Sequence, residues 1–595
     1  MCGIIACRTN GPALDYLLPA LKRLEYRGYD SVGVAVRTED GDIARLRTIG
    51  RIGALEQQVT RWTGPELDGL GIGHTRWATH GGVDETNAHP HLDCTGRIAV
   101  VHNGIITNAD ELGRELRATG HRFTSDVDSE VVPHLIEDCL ATSGNLLTAV
   151  QQVVDRLSGS WALAVLEQGT GRLVAAANRS PLLVARARGC VFATSDAAAI
   201  ADWVDEFRTL DDGDVVELGD VFTWNRRGAR CSPPPLRRQS WARTDLSLGR
   251  HTDFMSKEIT EQPRVAARLL TRIGGGVADG SLWSGLGLPD FDRLRVVACG
   301  TSMHAGQVIG NCARGAGAIP FTATVASETL REQSDPKTLT LAISQSGETA
   351  DVLRALDLRS PGDGPLLALT NSTHSTLARR ADAVLPCSAG PEIGVAATKT
   401  FVCQVISGVS LMLSSMVATE RLAPEIATRL MHSLNGIPAR LAAAVETAQQ
   451  LIPPIVDELA TATGFVFLGR GAGVPYAAEG ALKLKELTYR WAEHHPAGEL
   501  KHGPLAVIES GTPVVVVDHG DPRISANIAE VRARGGRIIS IGIDGSTVPV
   551  LHPGPAPCGP LESVVPMQVL ARELALALGR DVDKPRNLAK SVTVE

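Results

Sequence analysis

The sequence predicts an α/β protein built from stacked β-sheets in its first third and two doubly wound parallel subdomains in the remainder. Short strand-like runs grouped around a few helical segments occupy residues 2–220, which suggests sheets covered by helices. A proline-rich segment follows, and beyond it a pattern of apolar runs separated by helical segments occurs twice. With 595 residues the chain is long enough for several domains.

In the first third, apolar runs predict the strands, and leucine spacing predicts the first helix. The predicted strands are residues 2–7, 32–36, 98–101, 161–166 and 173–176, and the predicted helix carries Leu14, Leu17, Leu18, Leu21 and Leu24.

Five polar runs interrupt these strands. They are residues 24–31 (LEYRGYDS), 73–81 (GHTRWATHG), 87–91 (NAHPH), 101–106 (VHNGII) and 126–130 (DVDSE), the last opening another helix. Taken singly, each run could be an ordinary turn. The Asn-Gly pair in the run 101–106, for example, is a hairpin signal. His80, His89 and His102 taken singly are more typical of structural histidines than of catalytic ones.

The cysteine at position 2 has two interpretations. It is either a small buried residue at the start of a strand or, once Met1 is removed, a thiol that carries a free α-amine. The amine has an ordinary pKa of about 7.7–8.0, so an N-terminal cysteine supplies both nucleophile and base.

Cys2 and the five runs together resemble the glutaminase domain of class II, N-terminal-nucleophile amidotransferases, over about residues 2–220. The resemblance implies an αββα sandwich in which Cys2 attacks the amide of glutamine. Asn103 and the Gly104 N–H would then stabilise the oxyanion. Arg76 would bind the α-carboxylate of glutamine and Asp128 its α-ammonium. The resemblance also places Trp77, Thr79 and His80 along the pocket and gives Arg27 a part in closing it.

A linker is predicted at residues 221–250, where three consecutive prolines at 233–235 exclude a helix or a central strand. Beyond it, the apolar runs 294–300, 339–344 and 366–370 recur as 464–469, 514–518 and 538–542. Buried-looking strands that alternate with helices predict a doubly wound parallel sheet for each copy. We therefore expect subdomains at 251–430 and 431–580, followed by a tail at 581–595.

Two loops of the first copy are candidate anion sites. Thr301 and Ser302 follow one predicted strand, and the run 344–349 (SQSGET) follows the next and opens a helix. Hydroxyls and free N–H groups at a helix start suit a phosphate, although Ser346 alone would be an ordinary helix cap. The motif of an ATP-binding P-loop is not present in the sequence.

The run 344–349 resembles the phosphosugar loop of sugar isomerase domains. Together with 395–399 (VAATK), 481–486 (ALKLKE), 498–504 (GELKHGP) and 584–595 (KPRNLAKSVTVE), it is similar to the isomerising glutamine–fructose-6-phosphate aminotransferases, nearly end to end. That family makes glucosamine 6-phosphate and needs no metal, nucleotide or pyridoxal phosphate.

The resemblance implies roles for the residues of the sugar half. Lys590 would form a Schiff base with the ketose, Glu486 would move a proton between C1 and C2, and Lys483 would assist at the hydroxyls. His502 would come from the partner subunit of a homodimer and open the ring. The remaining candidates bind the sugar phosphate: Thr301, Ser302, Ser344, Gln345, Ser346, Thr349, Val395 and Ala397, the last standing where the family usually has serine. From spacing alone, Lys483 and Glu486 could equally form a surface ion pair and Lys590 could lie in a solvated tail.

Composition limits the other functions. A formal net charge of −8 gives no support for binding to nucleic acid or an anionic membrane. The 11 cysteines show neither a C-x-x-C pair nor a Cys/His ligand spacing, so we expect a reducing, cytoplasmic environment and no structural metal. Met1 leads straight into a strand-like run, so we expect no signal peptide. The uncharged stretch 400–419 is long enough to span a membrane, but its serines favour a buried helix.

Three functions remain open: the amination of fructose 6-phosphate, the same reaction on another phosphorylated ketose, and a sugar-phosphate sensor with a vestigial glutaminase half. If ammonia is transferred, it has to travel through a closed passage between the two sites, because water would protonate and dilute it. The resemblance gives Trp77 and the C-terminal tail a part in gating that passage.

Overall fold

The computed structural model describes residues 2–78, 81–239, 241, 243–331, 333–551 and 556–592. The chain divides into two compact units, one that reaches Leu246 and one that runs from Ser247 to Lys590.

The first unit contains two antiparallel sheets and five α-helices in its described residues. The strands are β1 (Gly3–Thr9), β2 (Ser31–Thr38), β3 (Ile43–Ile49), β4 (Leu67–Arg76), β5 (His91–Leu92), β6 (Ile98–Ile106), β7 (Gly159–Glu167), β8 (Leu173–Asn178), β9 (Leu183–Ala187), β10 (Cys190–Thr194), β11 (Glu206–Thr209), β12 (Asp214–Glu217), β13 (Thr223–Arg226), β14 (Ala229–Arg230) and β15 (Arg237–Arg238). The helices are α1 (Leu14–Leu24), α2 (Ile52–Thr60), α3 (Ala109–Ala118), α4 (Val131–Ser143) and α5 (Leu146–Val154). One sheet has the order β15-β11-β9-β10-β1-β4-β2-β3 and the other β14-β13-β12-β8-β7-β6-β5.

The alternation of side chains along each strand builds the sandwich. On β1, Ile4 and Ala6 join a core that also holds Val101 of β6, so this core lies between the two sheets. The intervening Ile5 packs with helix α1 on the outer face of the first sheet. Val100 of β6 likewise packs with α4 and α5 outside the second sheet. Because successive side chains of a strand point to opposite faces, each strand serves two cores, and the predicted αββα arrangement is confirmed.

The segment predicted as a linker is partly structured. Three short strands, β13, β14 and β15, fall within residues 221–250 and extend the edges of the two sheets. The consecutive prolines at 233–235 lie between β14 and β15 and belong to no strand. Prolines exclude central strands but tolerate these short edge positions on either side.

The second unit contains two parallel sheets packed among helices. The strands are β16 (Arg293–Ala298), β17 (Phe321–Val325), β18 (Thr338–Ser344), β19 (Leu366–Thr370), β20 (Ala383–Pro386), β21 (Gly464–Gly469), β22 (Trp491–Pro496), β23 (Pro513–Asp518), β24 (Arg537–Gly542) and β25 (Val548–Pro549). The helices are α6 (Phe254–Ile273), α7 (Ser281–Ser284), α8 (Gly300–Gly317), α9 (Ala350–Asp357), α10 (Thr376–Arg380), α11 (Lys399–Ala418), α12 (Pro424–Asn435), α13 (Ile437–Leu451), α14 (Pro453–Leu459), α15 (Val474–Thr488), α16 (Ile524–Arg532) and α17 (Val564–Ala577).

The two sheets of this unit are copies of one topology. Their strand orders are β17-β16-β18-β19-β20 and β22-β21-β23-β24-β25, and every pair is parallel. The internal repeat and the two doubly wound sheets predicted from the sequence are therefore confirmed. In such sheets ligands bind beyond the carboxyl ends of the strands, which is where the runs at 300–302 and 344–349 lie.

Helix α11 coincides with the uncharged stretch. Among the described residues it alone has the length and composition of a membrane span, yet 89% of its apolar window is buried inside the protein. Residues of all its faces join the core shared by both sheets of the second unit. The prediction of a buried helix is confirmed, since a helix surrounded by protein can be apolar all round.

Candidate active sites

Cys2 lies half-buried just before β1. The Trp77 N–H donates to its Sγ at 3.2 Å, and the thiol lies 3.5 Å from the Trp77 carbonyl oxygen. Burial raises the pKa of the Cys2 thiol, and the Trp77 N–H and the Arg76 charge oppose that rise. The start of β1 can lie this close to β4 because residue 3 is glycine. A Cβ at this position would lie 2.6 Å from Thr75 Oγ1. A thiol with a raised pKa needs a nearby base to become a nucleophile.

Asn103 lies on β6 beside Cys2, with its Nδ2 donating to the Cys2 carbonyl oxygen at 2.9 Å. Its Oδ1 is 3.1 Å from Nε2 of the buried His74, and the same Nε2 is 2.9 Å from the His102 carbonyl oxygen. Both partners are acceptors, so Nε2 carries the proton. Burial lowers the pKa of His74 to about 3, which keeps the ring neutral. His74 therefore fixes which way the Asn103 amide points.

Sequence reasoning gave His74 no role. It stood inside the run 73–81, but nothing in that run distinguishes it from the other histidines. The missing signal was the pairing of β1 with both β4 and β10, which sets β4 beside Cys2.

Gly104 lies within β6 rather than in a hairpin turn, so the turn interpretation of Asn-Gly is wrong here. Its φ is +119°, and a Cβ would lie 2.0 Å from the Ser160 carbonyl oxygen. Only glycine fits this backbone without displacing β7.

Arg76 and Asp128 flank the same site. The Arg76 side chain is buried and its Nη1 donates to the Gly82 carbonyl oxygen at 3.0 Å. Burial lowers the pKa of Arg76, while the charges of Cys2 and Asp128 act in the opposite direction. Asp128 Oδ2 accepts the Ile106 N–H at 2.8 Å. The structure thus brings an arginine, a carboxylate and the thiol into one electrostatic neighbourhood.

The other glutamine-site candidates differ in what the structure says of them. Trp77 is half-buried and packs edge-on against Tyr29, with ring centroids 5.7 Å apart. The Arg27 guanidinium pairs with Asp196, its Nε donating to Oδ2 at 3.0 Å. Thr79 and His80 lie outside the described residues.

In the second unit, the loop 344–349 closes on itself between β18 and α9. Ser344 Oγ and Thr349 Oγ1 are 2.8 Å apart, and the Gly347 N–H donates to Ser344 Oγ at 3.0 Å. The Glu348 N–H donates to Ser346 Oγ at 3.1 Å. The Gln345 carbonyl oxygen accepts the Asn371 N–H at 3.1 Å, which ties the loop to the end of β19. The helix opened by this loop is confirmed.

Thr301 and Ser302, at the start of α8, contact two other helices. Thr301 Oγ1 donates to Glu479 Oε1 at 3.0 Å and accepts from Lys483 Nζ at 3.0 Å, both on α15. Ser302 Oγ accepts from Gln404 Nε2 of α11 at 3.0 Å. The bonds of Thr301 join the loop after β16, in the first sheet of the unit, to helix α15 of the second sheet, which carries Lys483.

Lys483 is buried and pairs with the partly exposed Glu486, so the two do not form the solvated surface pair that spacing alone allowed. Lys483 Nζ lies 2.6 Å from Glu486 Oε2 and 3.5 Å from Glu479 Oε1, with 1% of the lysine side chain exposed. Burial lowers the pKa of Lys483, but the two carboxylates outweigh it and the net shift is upward. Lys483 is a fixed cation at neutral pH.

Lys590 is buried as well, so it does not lie in a solvated tail. Its Nζ donates to Glu392 Oε2 at 2.5 Å and to the Gly394 carbonyl oxygen at 2.7 Å. The tail is held against the same loop by the Val395 N–H, which donates to the Asp583 carbonyl oxygen at 3.0 Å. Glu392 also raises the pKa of Lys483, so the two lysines share one electrostatic neighbourhood.

Glu392 was not singled out from the sequence. Burial raises its pKa, but Lys590 and the N–H groups of Thr398 and Thr400 outweigh burial and hold it at about 2. Two further candidates are not among the residues that contact Lys483, Lys590 or Glu392. Ala397 is half-buried, and His502 is exposed in the 3₁₀ segment Ala497–His502.

Comparisons with known proteins agree with both halves. Residues 74–202 match the family described as glutamine amidotransferase domain, and residues 288–414 and 458–547 match the family described as SIS domain. Two curated relatives named glutamine–fructose-6-phosphate aminotransferase [isomerizing] match over 100% of both chains, at 41% identity for Thermus thermophilus and 43% for Halobacterium salinarum.

The chain belongs to the isomerising glutamine–fructose-6-phosphate aminotransferase family.

Solved structures place the second unit in the same family. The C-terminal domain of glucosamine-fructose-6-phosphate aminotransferase from Francisella tularensis covers 57% of this chain and 99% of its own, at 32% identity and a TM-score of 0.53. A putative phosphosugar isomerase from Clostridium difficile, at 18% identity and a TM-score of 0.50, covers 56% of this chain and 95% of its own and shares the fold. The resemblance to this aminotransferase family drawn from the sequence is confirmed.

Proposed function

We propose that this enzyme transfers the amide nitrogen of L-glutamine to fructose 6-phosphate and isomerises the product, releasing glutamate and glucosamine 6-phosphate. The observation that carries the proposal is the pairing of two kinds of site in one chain. One unit has a thiol beside an oriented Asn103. The other has a buried lysine on a carboxylate, Lys590 on Glu392.

In the glutaminase half, the α-amine of a processed Cys2 takes the thiol proton and the thiolate attacks the amide carbon. Asn103 Nδ2 and the Gly104 N–H donate to the oxyanion, which is where such donors lower the barrier most. Ammonia leaves with the proton, and water then hydrolyses the thioester to glutamate. Arg76 and Asp128 hold the two charged ends of the substrate, with Trp77, Thr79, His80 and Arg27 around the pocket.

In the sugar half, the loop 344–349 with Thr301 and Ser302 binds the phosphate through hydroxyl and N–H donors. The Lys590 amine condenses with the C2 carbonyl, losing water, and ammonia then displaces it from C2. Glu486 removes a proton from C1 and returns one to C2, which leaves an aldose with its amino group at C2. The 2.6 Å contact between Lys483 Nζ and Glu486 Oε2 supports a role for Lys483 in orienting Glu486, and Lys483 assists at the sugar hydroxyls.

The proposal includes a homodimer, a cytoplasmic location and five parts of the chain with the bounds 2–220, 221–250, 251–430, 431–580 and 581–595. The exposure of His502 supports the dimer, because this histidine is then available to the partner's sugar site, where it opens the ring. The free state of all the cysteines fits a reducing compartment.

The decisive test combines activity with chemical trapping. Purified enzyme given glutamine and fructose 6-phosphate is expected to form glucosamine 6-phosphate, detected by mass spectrometry. Borohydride reduction with fructose 6-phosphate alone should add the sugar to the peptide that carries Lys590. Finding no amino sugar and no modified lysine would refute the proposal.

A ketose panel separates this function from its nearest alternative. Ala397 stands on the sugar loop where the family usually has serine, so another phosphorylated ketose is the second candidate. If a different ketose phosphate gives a higher kcat/KM than fructose 6-phosphate, the alternative replaces the proposal. The matched variant Ala397→Ser should then shift the preference back.

A further inference from the structure

Four potential metal ligands meet in the first unit, and none of them is among the residues assigned to the glutamine site. Cys94 lies in the turn after β5, His121 follows α3, and His134 and Glu137 lie one turn apart on α4. Their ligand atoms all lie within 4.8 Å of one another.

Four of the six distances between these atoms are close to the edges of a tetrahedron. Cys94 Sγ is 3.6 Å from His121 Nδ1 and 3.5 Å from His134 Nδ1. Glu137 Oε2 is 3.4 Å from His121 Nδ1 and 3.8 Å from His134 Nδ1. A tetrahedral zinc ion with bonds of about 2.0–2.3 Å requires its ligand atoms to be about 3.3–3.6 Å apart. Three of the four distances fall in that range, and the fourth exceeds it by 0.2 Å.

One histidine also has the outer contact typical of a metal site. The second nitrogen of His121, Nε2, lies 3.1 Å from Asp138 Oδ1, whereas Nε2 of the buried His134 makes no hydrogen bond, with Glu130 Oε1 3.9 Å away. A histidine that binds a metal through one nitrogen usually presents the other to a carboxylate or carbonyl. The Arg122 N–H donates to Cys94 Sγ at 3.3 Å, a contact that stabilises a thiolate.

The Cys94 N–H donates to Glu137 Oε2 at 3.2 Å and fixes that carboxylate, but this bond does not involve the thiol or the two Nδ1 atoms. A thiol has one proton and can donate to only one of the two imidazoles that face it. His134 is 1% exposed, and the carboxylate of Glu137 adds a further acceptor beside both Nδ1 atoms. A divalent cation at the centre satisfies all four groups together.

We propose that Cys94, His121, His134 and Glu137 bind one zinc ion. The ligand set of sulfur, two imidazoles and a carboxylate is one that zinc favours, and four protein ligands close the site, so its role is structural. Binding displaces the thiol proton into solvent and involves no redox change. Cys94 is exposed and gives the ion a path of entry.

The zinc ion would join the sheet edge at Cys94 to helix α4 and to the segment between His121 and that helix. That segment carries Asp128, whose Oδ2 accepts the Ile106 N–H of β6 at 2.8 Å. The metal-free enzyme should therefore show a raised KM for glutamine with a smaller change in kcat. This expectation rests on the proposed function.

The test measures zinc on the full-length protein. Enzyme dialysed against zinc and then against buffer should carry about one zinc per chain by mass spectrometry of the metal. The Cys94→Ser variant should bind at least 100-fold more weakly in competition with a chromogenic chelator. Asp138→Asn, which changes only an outer partner, should bind about 10–100-fold more weakly.

Two control variants test whether the loss of zinc binding is specific to Cys94. Cys139→Ser removes a half-buried cysteine of the same helix α4 and should keep full zinc affinity. Cys2→Ala should also keep its zinc, which rules out the catalytic thiol as the ligand. Replacing zinc with cobalt should give the visible bands of a tetrahedral cobalt–thiolate in Cys139→Ser but not in Cys94→Ser.

Wild-type enzyme that carries no zinc after dialysis and cannot compete with the chelator would overturn the site, and so would undiminished binding in Cys94→Ser. Circular dichroism of Cys94→Ser distinguishes loss of a ligand from loss of the fold. If zinc binds but the KM for glutamine is unchanged in the metal-free enzyme, only the link to Asp128 fails. Metal binding is measured without either substrate, so it stands or falls apart from the proposed function.

Discussion

At the scale of single residues, His74 is a positioning residue for the oxyanion site. Replacing it with phenylalanine keeps an aromatic ring against His89, whose centroid lies 4.1 Å away, but removes the proton donated to Asn103 Oδ1. A buried acceptor left without its donor costs about 1–3 kcal/mol, and the Asn103 amide is then free to turn. We expect His74→Phe to lower the glutaminase kcat about tenfold or more with little change in the KM for glutamine, measured by glutamate release.

His91→Phe is the matched control for that variant. His91 is another buried imidazole of the same cluster, packed edge-on against His89 at 4.5 Å, whereas the imidazole that contacts Asn103 Oδ1 is that of His74. His74→Gln, which restores an N–H donor, should recover part of the activity. An equal loss in His74→Phe and His91→Phe would mean that the cluster matters only for folding.

Glu392 positions Lys590. Its Oε1 accepts the N–H groups of Thr398 and Thr400, and its Oε2 accepts Lys590 Nζ. In Glu392→Gln the amide oxygen keeps the backbone contacts while the NH₂ group faces the lysine, so a charge-assisted hydrogen bond worth about 1.5–3 kcal/mol is lost. We expect glucosamine 6-phosphate formation to fall about tenfold or more and glutaminase activity without sugar to stay unchanged.

Glu258→Gln is the control for the Glu392 variant. Glu258 lies beside Glu392, and burial followed by the charge of Glu392 raises its pKa to about 8. The raised pKa favours the protonated carboxyl, which resembles a glutamine, and its Oε1 accepts the Ile393 N–H. If both variants lose the same activity, the effect comes from packing and not from the ion pair with Lys590.

The sequence identified the reacting residues better than the residues that hold them. Cys2, Asn103, Lys483 and Lys590 stand in runs whose residue types already suggest chemistry. His74 and Glu392 gain their roles only from strand pairing and from a loop that meets the tail, and neither is visible from spacing. The zinc ligands are the extreme case, since no spacing typical of a metal site joins Cys94 to His121 and His134.

At the scale of elements, the loop between β18 and α9 depends on Gly347. Its φ is +68°, and a Cβ would lie 2.0 Å from Ser375 Oγ, at the start of α10. Gly347→Ala has to displace either the loop or α10, which misplaces the N–H groups and hydroxyls that we assign to the phosphate. We expect the KM for fructose 6-phosphate to rise about tenfold or more, measured in the coupled synthase assay. A tenfold rise corresponds to a loss of about 1.4 kcal/mol of binding free energy.

Gly390→Ala separates the clash from backbone strain. Gly390 has a φ of +74°, but a Cβ there would meet no atom within 4 Å. This variant carries the strain of a left-handed alanine, about 1–2 kcal/mol, without the steric contact. A similar rise in KM for both variants would show that strain, and not the position of α10, controls the loop.

The strands β1 and β6 and the repeat were predictable because their apolar runs are continuous and, in the second unit, occur twice. The apolar runs at β1 and β6 and the recurring apolar runs of the second unit all form strands in the structure. The edge strands β13, β14 and β15 were missed because they are two to four residues long and flank prolines. Such strands form only when the neighbouring strand supplies hydrogen bonds, so their own sequence carries little information.

At the scale of the whole molecule, the two units should respond differently to acid. The first unit holds a cluster of four buried histidines, in which His89 lies 4.1 Å from His74, 4.5 Å from His91 and 6.5 Å from His102 between ring centroids. Burial lowers the pKa of all four, to about 3 for His74 and His91. In the second unit, His494 and His519 also have lowered pKa values but are only partly buried.

The sign of the effect follows from proton binding. In the unfolded chain these histidines have a pKa of about 6.5, so below that pH the unfolded state binds protons that the folded state excludes. The free energy of unfolding of the first unit should therefore fall as the pH drops from about 6.5 towards 3, by up to about 1.4 kcal/mol per pH unit for each histidine. Glu130, whose pKa is lowered to about 2, adds to the loss only below about pH 4.5.

Hydrogen exchange of the full-length enzyme, corrected for the intrinsic rate at each pH, can follow both units at once. Between pH 7.5 and 5 we expect peptides of β6 to lose protection while peptides of β18 keep theirs. His91→Phe should make the dependence on pH shallower by about one histidine, and Cys94→Ser should retain it, which excludes protons competing with a metal. Equal loss of protection in the two units would mean that they unfold together and that the buried histidines do not set the acid limit of the first.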